Sequence, residues 1–172
     1  MNKKLISTKK LCFIALFMSM NIILSSFSIP VPGGHFYLCD VIICFAALVF
    51  DPFSAFIVGG VGSFLGDLIF YPTPMFVSLA THGLQAIAIS LIAGKKTNEL
   101  PKVWRTILAL SVGVIIMVTG YSLGRAFVYS TPEYALVKLP YEIGQAVIGA
   151  VIGALLLYKT SLRRVINDIP KE

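Results

Sequence analysis

Six apolar stretches, near residues 11 to 29, 38 to 50, 53 to 70, 76 to 94, 107 to 128 and 139 to 158, constrain this chain more than any other feature. A helix that crosses a bilayer needs about 20 predominantly apolar residues, because lipid offers no partner to an exposed peptide group. Six such spans are expected, with the second short. The connections are also short: Asp51-Pro52, YPTP from Tyr71, about a dozen residues after Gly94, and VYSTPEYALVK from Val128. They leave no room for a soluble domain, and a chain that is 57% hydrophobic and 13% charged does not describe one either. Residues 1–172 are therefore expected to form a single all-α domain, a compact bundle of six transmembrane helices.

A formal charge of +6 raises the possibility of an anionic partner such as nucleic acid, but the placement of the charge argues against it. Lys3, Lys4, Lys9 and Lys10 precede the first span; Lys95, Lys96, Lys102 and Arg105 follow the fourth; Lys159, Arg163, Arg164 and Lys171 follow the sixth. With six spans these segments share one side, and the positive-inside rule makes it cytoplasmic, with both termini there. Arg125 and Lys138 are left outside. A multi-pass protein of a bacterial cytoplasmic membrane is the expectation. The first apolar run follows a basic stretch as a signal peptide would, but no A-x-A-like site follows it, so it is expected to be a retained helix. The tail KTSLRRVINDIPKE resembles an interfacial helical end. Three cysteines without C-x-x-C spacing indicate neither a disulfide framework nor a metal site.

Polar side chains inside a bilayer are costly and need a partner or a purpose. Asp40 opens span two, Asp67 closes span three, His82 and Gln85 lie in the outer half of span four, Tyr121 and Arg125 near the outer end of span five, and Glu142 and Gln145 in the outer part of span six. Ser78, His82 and Gln85 stand at i, i+4 and i+7, Tyr121 and Arg125 at i and i+4, and Glu142 and Gln145 at i and i+3, so each group shares a helix face. Together they are expected to line a cavity open to the outside, roofed by the PGGHFY loop with His35, Phe36 and Tyr37 and supplemented by Tyr71, Phe76 and Tyr141. Asp40 is explained equally by a helix cap, and Asp67 by a place at the membrane interface or by pairing with Arg125. Glu133 and Lys138 are expected to be solvated in the outer loop. The small-residue rows Ala55, Gly59, Ser63 and Ala146, Ala150, Ala154 are expected to pack helices within the bundle.

No G-x-x-x-x-G-K-[ST] loop, H-E-x-x-H pair or G-x-S-x-G elbow is present, so uphill movement of a solute would draw on an ion gradient or another subunit. The SIPVPGGHFYLCD loop, the third span FSAFIVGGVGSFLGDLIFYPTP, the fourth THGLQAIAISLIAG and the terminal LPYEIGQAVIGAVIGALLL together resemble the S component of energy-coupling factor (ECF) vitamin transporters over nearly the whole chain. Within that group the resemblance is to the hydroxymethylpyrimidine and pyridoxine branch, in which an acid opens span two, GD ends span three and P-x-x-x-x-Q begins span six.

The resemblance implies a transport subunit, not an enzyme. It binds a small vitamin from outside and docks on a transmembrane coupling subunit that carries two ATPase subunits, without a cofactor of its own. Docking in this family uses an A-x-x-x-A pattern on the first span; the corresponding positions here are Ala15 and Ser19, with another small residue in place of the second alanine. The residues expected to bind substrate are His35, Phe36, Tyr37, Asp40, Asp67, His82, Gln85, Tyr121, Arg125, Glu142 and Gln145. Pyridoxine or hydroxymethylpyrimidine fits this set better than a di-anion such as folate. Alternatives are pantothenate or another vitamin, a small intramembrane enzyme using His82 with Glu142 or Asp67, and a structural subunit whose small-residue rows pack partners.

Overall fold

The structure, a computed structural model, describes residues 7–94 and 100–160. Six helical rods follow in order: α1 (Thr8–Ser26), α2 (Cys39–Val49), α3 (Pro52–Phe70), α4 (Met75–Ala93), α5 (Val103–Tyr129) and α6 (Pro132–Lys159). A β-hairpin of β1 (Ser28–Val31) and β2 (Gly34–Tyr37) lies between α1 and α2 and corrects the expectation of a purely helical chain. Among the described residues, five rods are long and apolar enough to cross a membrane. The sixth, α2, has 11 residues and covers about 16 Å, roughly half the hydrocarbon thickness. The interfacial end expected from the tail, beyond Thr160, lies outside the described residues, as do Lys3, Lys4, Lys95 and Lys96.

The short rod is the centre of the molecule. Every residue of α2 is buried, which accounts for a sequence apolar on all sides with no amphipathic stripe. Phe45 packs on Phe17 of α1, with ring centroids 5.5 Å apart. Along α6, Gly149 and Gly153 let α2 approach closely: a Cβ at Gly149 would stand 2.4 Å from Asp40 Cβ, and one at Gly153 would stand 3.0 Å from Cys44 Cβ. The row on α3 behaves likewise. Gly59 faces Ala86 of α4, while Gly62 and Gly66 face Asn21 and Ser25 of α1. Both rows thus pack helices inside this bundle, where lipid gives no hydrophobic drive of its own.

Two rods carry π-helical stretches, Ile57–Val61 in α3 and Arg125–Tyr129 in α5. A π turn displaces backbone carbonyls from the regular ladder. In α3 the buried Asn21 side chain takes up that slack, its Nδ2 donating to Val58 O at 2.8 Å and to Ser63 Oγ at 3.2 Å.

At one end of the bundle Asp51 caps α3, accepting from Ser54 N at 3.2 Å with Pro52 in the first turn, and Lys10 Nζ of α1 lies 3.0 Å from Asp51 Oδ2. Burial raises the Asp51 carboxyl, but the bonds from Ser54 and Lys10 outweigh it and hold the group below its ordinary value. The opposite end carries the hairpin, the C-terminal ends of α3 and α5 and the N-terminal ends of α4 and α6. The polar residues gather there.

Candidate functional site

The hairpin is built to lie flat on those helix ends. Ser28 pairs with Tyr37 and Val31 with Gly34, leaving Pro32 and Gly33 as the turn. Proline presets the first corner and Gly33, at φ 80°, supplies the left-handed second corner that a side chain would resist. The turn rests directly on α6, because a Cβ at Gly33 would stand 3.0 Å from both Cβ and N of Lys138. Beneath it is a cavity of about 300 Å³. Gly33, Gly34, His35 and Tyr37 form its roof; Ser63 and Asp67 of α3, His82 of α4, and Tyr121, Arg125 and Tyr129 of α5 form three walls. The fourth wall is Tyr134, Lys138, Glu142 and Gln145 of α6, with Ser25 and Cys39 at the base.

A chain of hydrogen bonds joins roof to base. Tyr37 N donates to Gln145 Oε1 at 2.9 Å, and Gln145 Nε2 donates to Asp40 Oδ2 at 2.8 Å. Gln85 Nε2 donates to the other Asp40 oxygen at 3.4 Å, which turns Gln85 Oε1 toward His82 Nδ1, 2.7 Å away. A carbonyl oxygen only accepts, so Nδ1 carries the ring proton and Nε2 is left as the acceptor. A second tie runs from Arg125, whose Nη1 donates to Gly33 O at 3.0 Å while Nη2 faces Glu142 Oε2 at 3.5 Å. The guanidinium also stands 5.4 Å over the Tyr129 ring. Across the cavity the Ser78 hydroxyl donates to the Asp67 carboxylate and lies 2.5 Å from Tyr121 Oη. In the roof the Tyr37 phenol is pushed up to about 12, by burial first and then by the Asp67 charge, so it stays a neutral donor near neutrality.

Of the eleven expected substrate contacts, eight line the cavity: His35, Tyr37, Asp67, His82, Tyr121, Arg125, Glu142 and Gln145. Asp40 and Gln85 are fully buried behind the wall, and they orient Gln145 and His82. Phe36 pairs with Ile29 in the hairpin and stays out of the cavity, as do Phe76, 66% exposed, and Tyr141. Asp40 is not a cap, because Leu38 holds that position and Asp40 lies inside the first turn of α2. Nor does Asp67 pair with Arg125; its partner is Ser78.

The expectation that Lys138 is solvated is wrong. Lys138 is 1% exposed and lines the cavity, while Glu133 is exposed as expected. The expected span six starts near residue 139, yet the helix begins at Pro132 and runs through Pro140. Tyr134, Lys138, Glu142 and Gln145 then fall on one face at i, i+4, i+8 and i+11, a stripe that the 3.6-residue period would have revealed. Cys39, Asp40 and His82 bring possible metal-ligand atoms within 4.8 Å of one another, but Asp40 and His82 Nδ1 are already committed to amide partners.

Residues 5–163 match the family described as ECF-type riboflavin transporter, S component. The chain belongs to this S-component family. A Pyrococcus woesei protein described as "Uncharacterized protein in gap 3'region" is 34% identical over 132 residues, covering 76% of this chain and 86% of its own length. The fold is shared with two solved structures. FolT bound with folic acid superposes with a TM-score of 0.69 at 17% identity, over 90% of this chain and 96% of its own. An S component of a bacterial ECF transporter superposes with a TM-score of 0.68 at 20% identity, over 95% of this chain and 98% of its own. S components are membrane transport subunits, not enzymes. They bind a small vitamin and work with a coupling subunit and ATPases, which sets aside the intramembrane-enzyme reading and makes this a multi-pass protein of the cell membrane.

The roof-to-base chain has a direct test. Gln145→Leu removes the acceptor for Tyr37 N and a donor to Asp40, and should weaken vitamin binding by about 1–3 kcal/mol. Amide hydrogen exchange in residues 34–37 should accelerate by at least about tenfold; unchanged exchange would mean the hairpin is held by its own strands.

Proposed function

We propose that this S component captures a single-ring heteroaromatic vitamin or precursor, with pyridoxine or hydroxymethylpyrimidine favoured. The observation that carries the reading is the size of the cavity under the hairpin. At about 300 Å³ it lies at the lower end of ligand pockets and holds about ten water-sized groups. One substituted ring fits within that volume, whereas the three fused rings and ribityl chain of riboflavin, or a pteridine with its tail, would need the hairpin to lie higher on the helix ends. Tyr37, Tyr121, Tyr129 and His82 offer ring faces and edges for stacking. Asp67, Glu142, Gln145 and Arg125 offer both acceptors and donors to orient the solute.

In this reading both termini are cytoplasmic, α2 occupies the sixth position in the membrane, and the hairpin is the outer lid. Loaded protein docks through Ala15 and Ser19 on a transmembrane coupling subunit carrying two ATPase subunits. Labelled pyridoxine and hydroxymethylpyrimidine offered to cells that express the protein with an ECF coupling module should accumulate, and should not in cells expressing the module alone. Accumulation of riboflavin, with neither of these, would overturn the substrate assignment. Glu142→Ala should weaken vitamin binding by about 1–3 kcal/mol, measured by titration calorimetry on the purified variant; an unchanged affinity would remove Glu142 from the site.

A further inference from the structure

The cavity is electrically lopsided. On the wall under the hairpin turn stand two cations, Lys138 and Arg125, and one carboxylate, Glu142. Arg125 is the cation that Glu142 meets, at 3.5 Å, longer than the roughly 2.7–2.9 Å of a full charge-assisted bond. Among the described residues Arg125 Nε has no hydrogen-bond partner. Among the described residues Lys138 Nζ makes neither a hydrogen bond nor an ion pair, although Lys138 is 1% exposed. Gly34 lies over both cations, with its Cβ position 3.2 Å from Arg125 Nη1 and 3.5 Å from Lys138 Cε, so the turn closes this corner from above.

The opposite wall has the reverse imbalance. Asp67 accepts from the Ser78 hydroxyl, and among the described residues it has no cation within 4.0 Å. Asp40, the remaining acid nearby, sits behind the lining with two amide donors on its oxygens. One wall therefore carries an excess positive charge and the other an excess negative one. A buried ammonium without a partner is costly, and an ionised oxygen of a bound solute would supply that partner.

We infer that the vitamin is bound as a zwitterion, with an ionised ring oxygen received by Lys138 and Arg125 beneath the hairpin turn and a protonated ring nitrogen facing Asp67. The inference rests on the single-ring reading of the cavity and sharpens it. Pyridoxine, whose ring hydroxyl is ionised and ring nitrogen protonated near neutrality, meets both walls. Hydroxymethylpyrimidine, an uncharged ring, meets neither excess charge.

The test is titration calorimetry on the full-length protein in lipid nanodiscs at pH 7 with three ligands: pyridoxine, its 3-deoxy analogue, which lacks the ionisable oxygen, and hydroxymethylpyrimidine. Pyridoxine should bind at least about tenfold more tightly than either comparator, the ratio expected of a charge-assisted contact. Lys138→Met, which keeps the bulk and removes the ammonium, should collapse that ratio to about threefold or less. Lys138→Gln serves as the second variant, and the wild-type ratio needs no variant at all. Equal wild-type affinities, or a tenfold preference that survives both substitutions, would overturn the dipolar match while leaving the single-ring reading intact. No heat from any of the three ligands would remove that reading, and this inference with it.

Discussion

Ala15→Trp should abolish vitamin uptake in cells that carry the coupling module, while the purified variant should bind vitamin within about twofold of wild type. That is the largest effect expected from a single residue, and it follows from how α1 divides its faces. Ile14, Phe17, Asn21 and Ser25 are buried against the bundle. Ala15 and Ser19 lie on the other side and are exposed, with Ser19 Oγ donating to Ala15 O at 2.8 Å so that the hydroxyl is folded back onto its own helix. Large apolar side chains flank them: Leu16 is 54% exposed and Ile23 55%. Two small residues in an apolar face allow another helix close approach. If a partner docks on this face, an indole there should hold it off without touching the cavity, which lies at the far end of the bundle and is lined by Ser25, not by Ala15 or Ser19. Normal uptake by the variant would place docking elsewhere; lost binding would mean that α1 shapes the site directly.

Gly149→Ala is the second large effect, this time on stability. The new Cβ would stand 2.4 Å from Asp40 Cβ, backed by Asp40 backbone at 3.0 Å, so no flexible side chain can yield. Separating α2 from α6 costs about 1–3 kcal/mol of overpacking, and disturbing Asp40 weakens its bonds from Gln145 and Gln85, each worth about 1 kcal/mol or more. Gly144→Ala is the matched control, because among the described residues nothing lies within 4 Å of its Cβ position and alanine is the better helix former. Thermal unfolding in detergent, followed by size exclusion, should show Gly149→Ala well below wild type and Gly144→Ala at or above it. Equal midpoints would mean that α2 and α6 are not held as closely as the glycine row indicates.

Much of this architecture is legible in the amino-acid order, for identifiable reasons. Long apolar runs declare spanning helices because the membrane demands their length, and α3 through α5 fall close to their apolar stretches. Polar residues inside those runs declare a site because burial makes them expensive, which is why Asp67, His82, Tyr121, Glu142 and Gln145 could be named in advance. The hairpin was hidden because SIPV and GHFY are four-residue strands without an alternating apolar pattern, and Pro32-Gly33 reads equally well as an open loop. Lys138 was missed because a lysine near a proline looks like loop surface; its burial depends on the hairpin turn lying over it, a contact made from residue 33. The roles of Asp40 and Gln85 likewise depend on partners 105 and 45 residues distant in the chain, respectively, beyond the reach of local periodicity.

In the proposed function, the hairpin roofs a site that binds a single-ring vitamin without help from any other subunit. Titration of purified wild-type protein with pyridoxine, hydroxymethylpyrimidine, thiamine, pantothenate and riboflavin, in the absence of ATP and coupling subunits, tests it most directly. The proposed single-ring specificity predicts saturable heat at micromolar affinity or tighter for pyridoxine or hydroxymethylpyrimidine and none for riboflavin. Tight binding of riboflavin with no response to either single-ring ligand would contradict it.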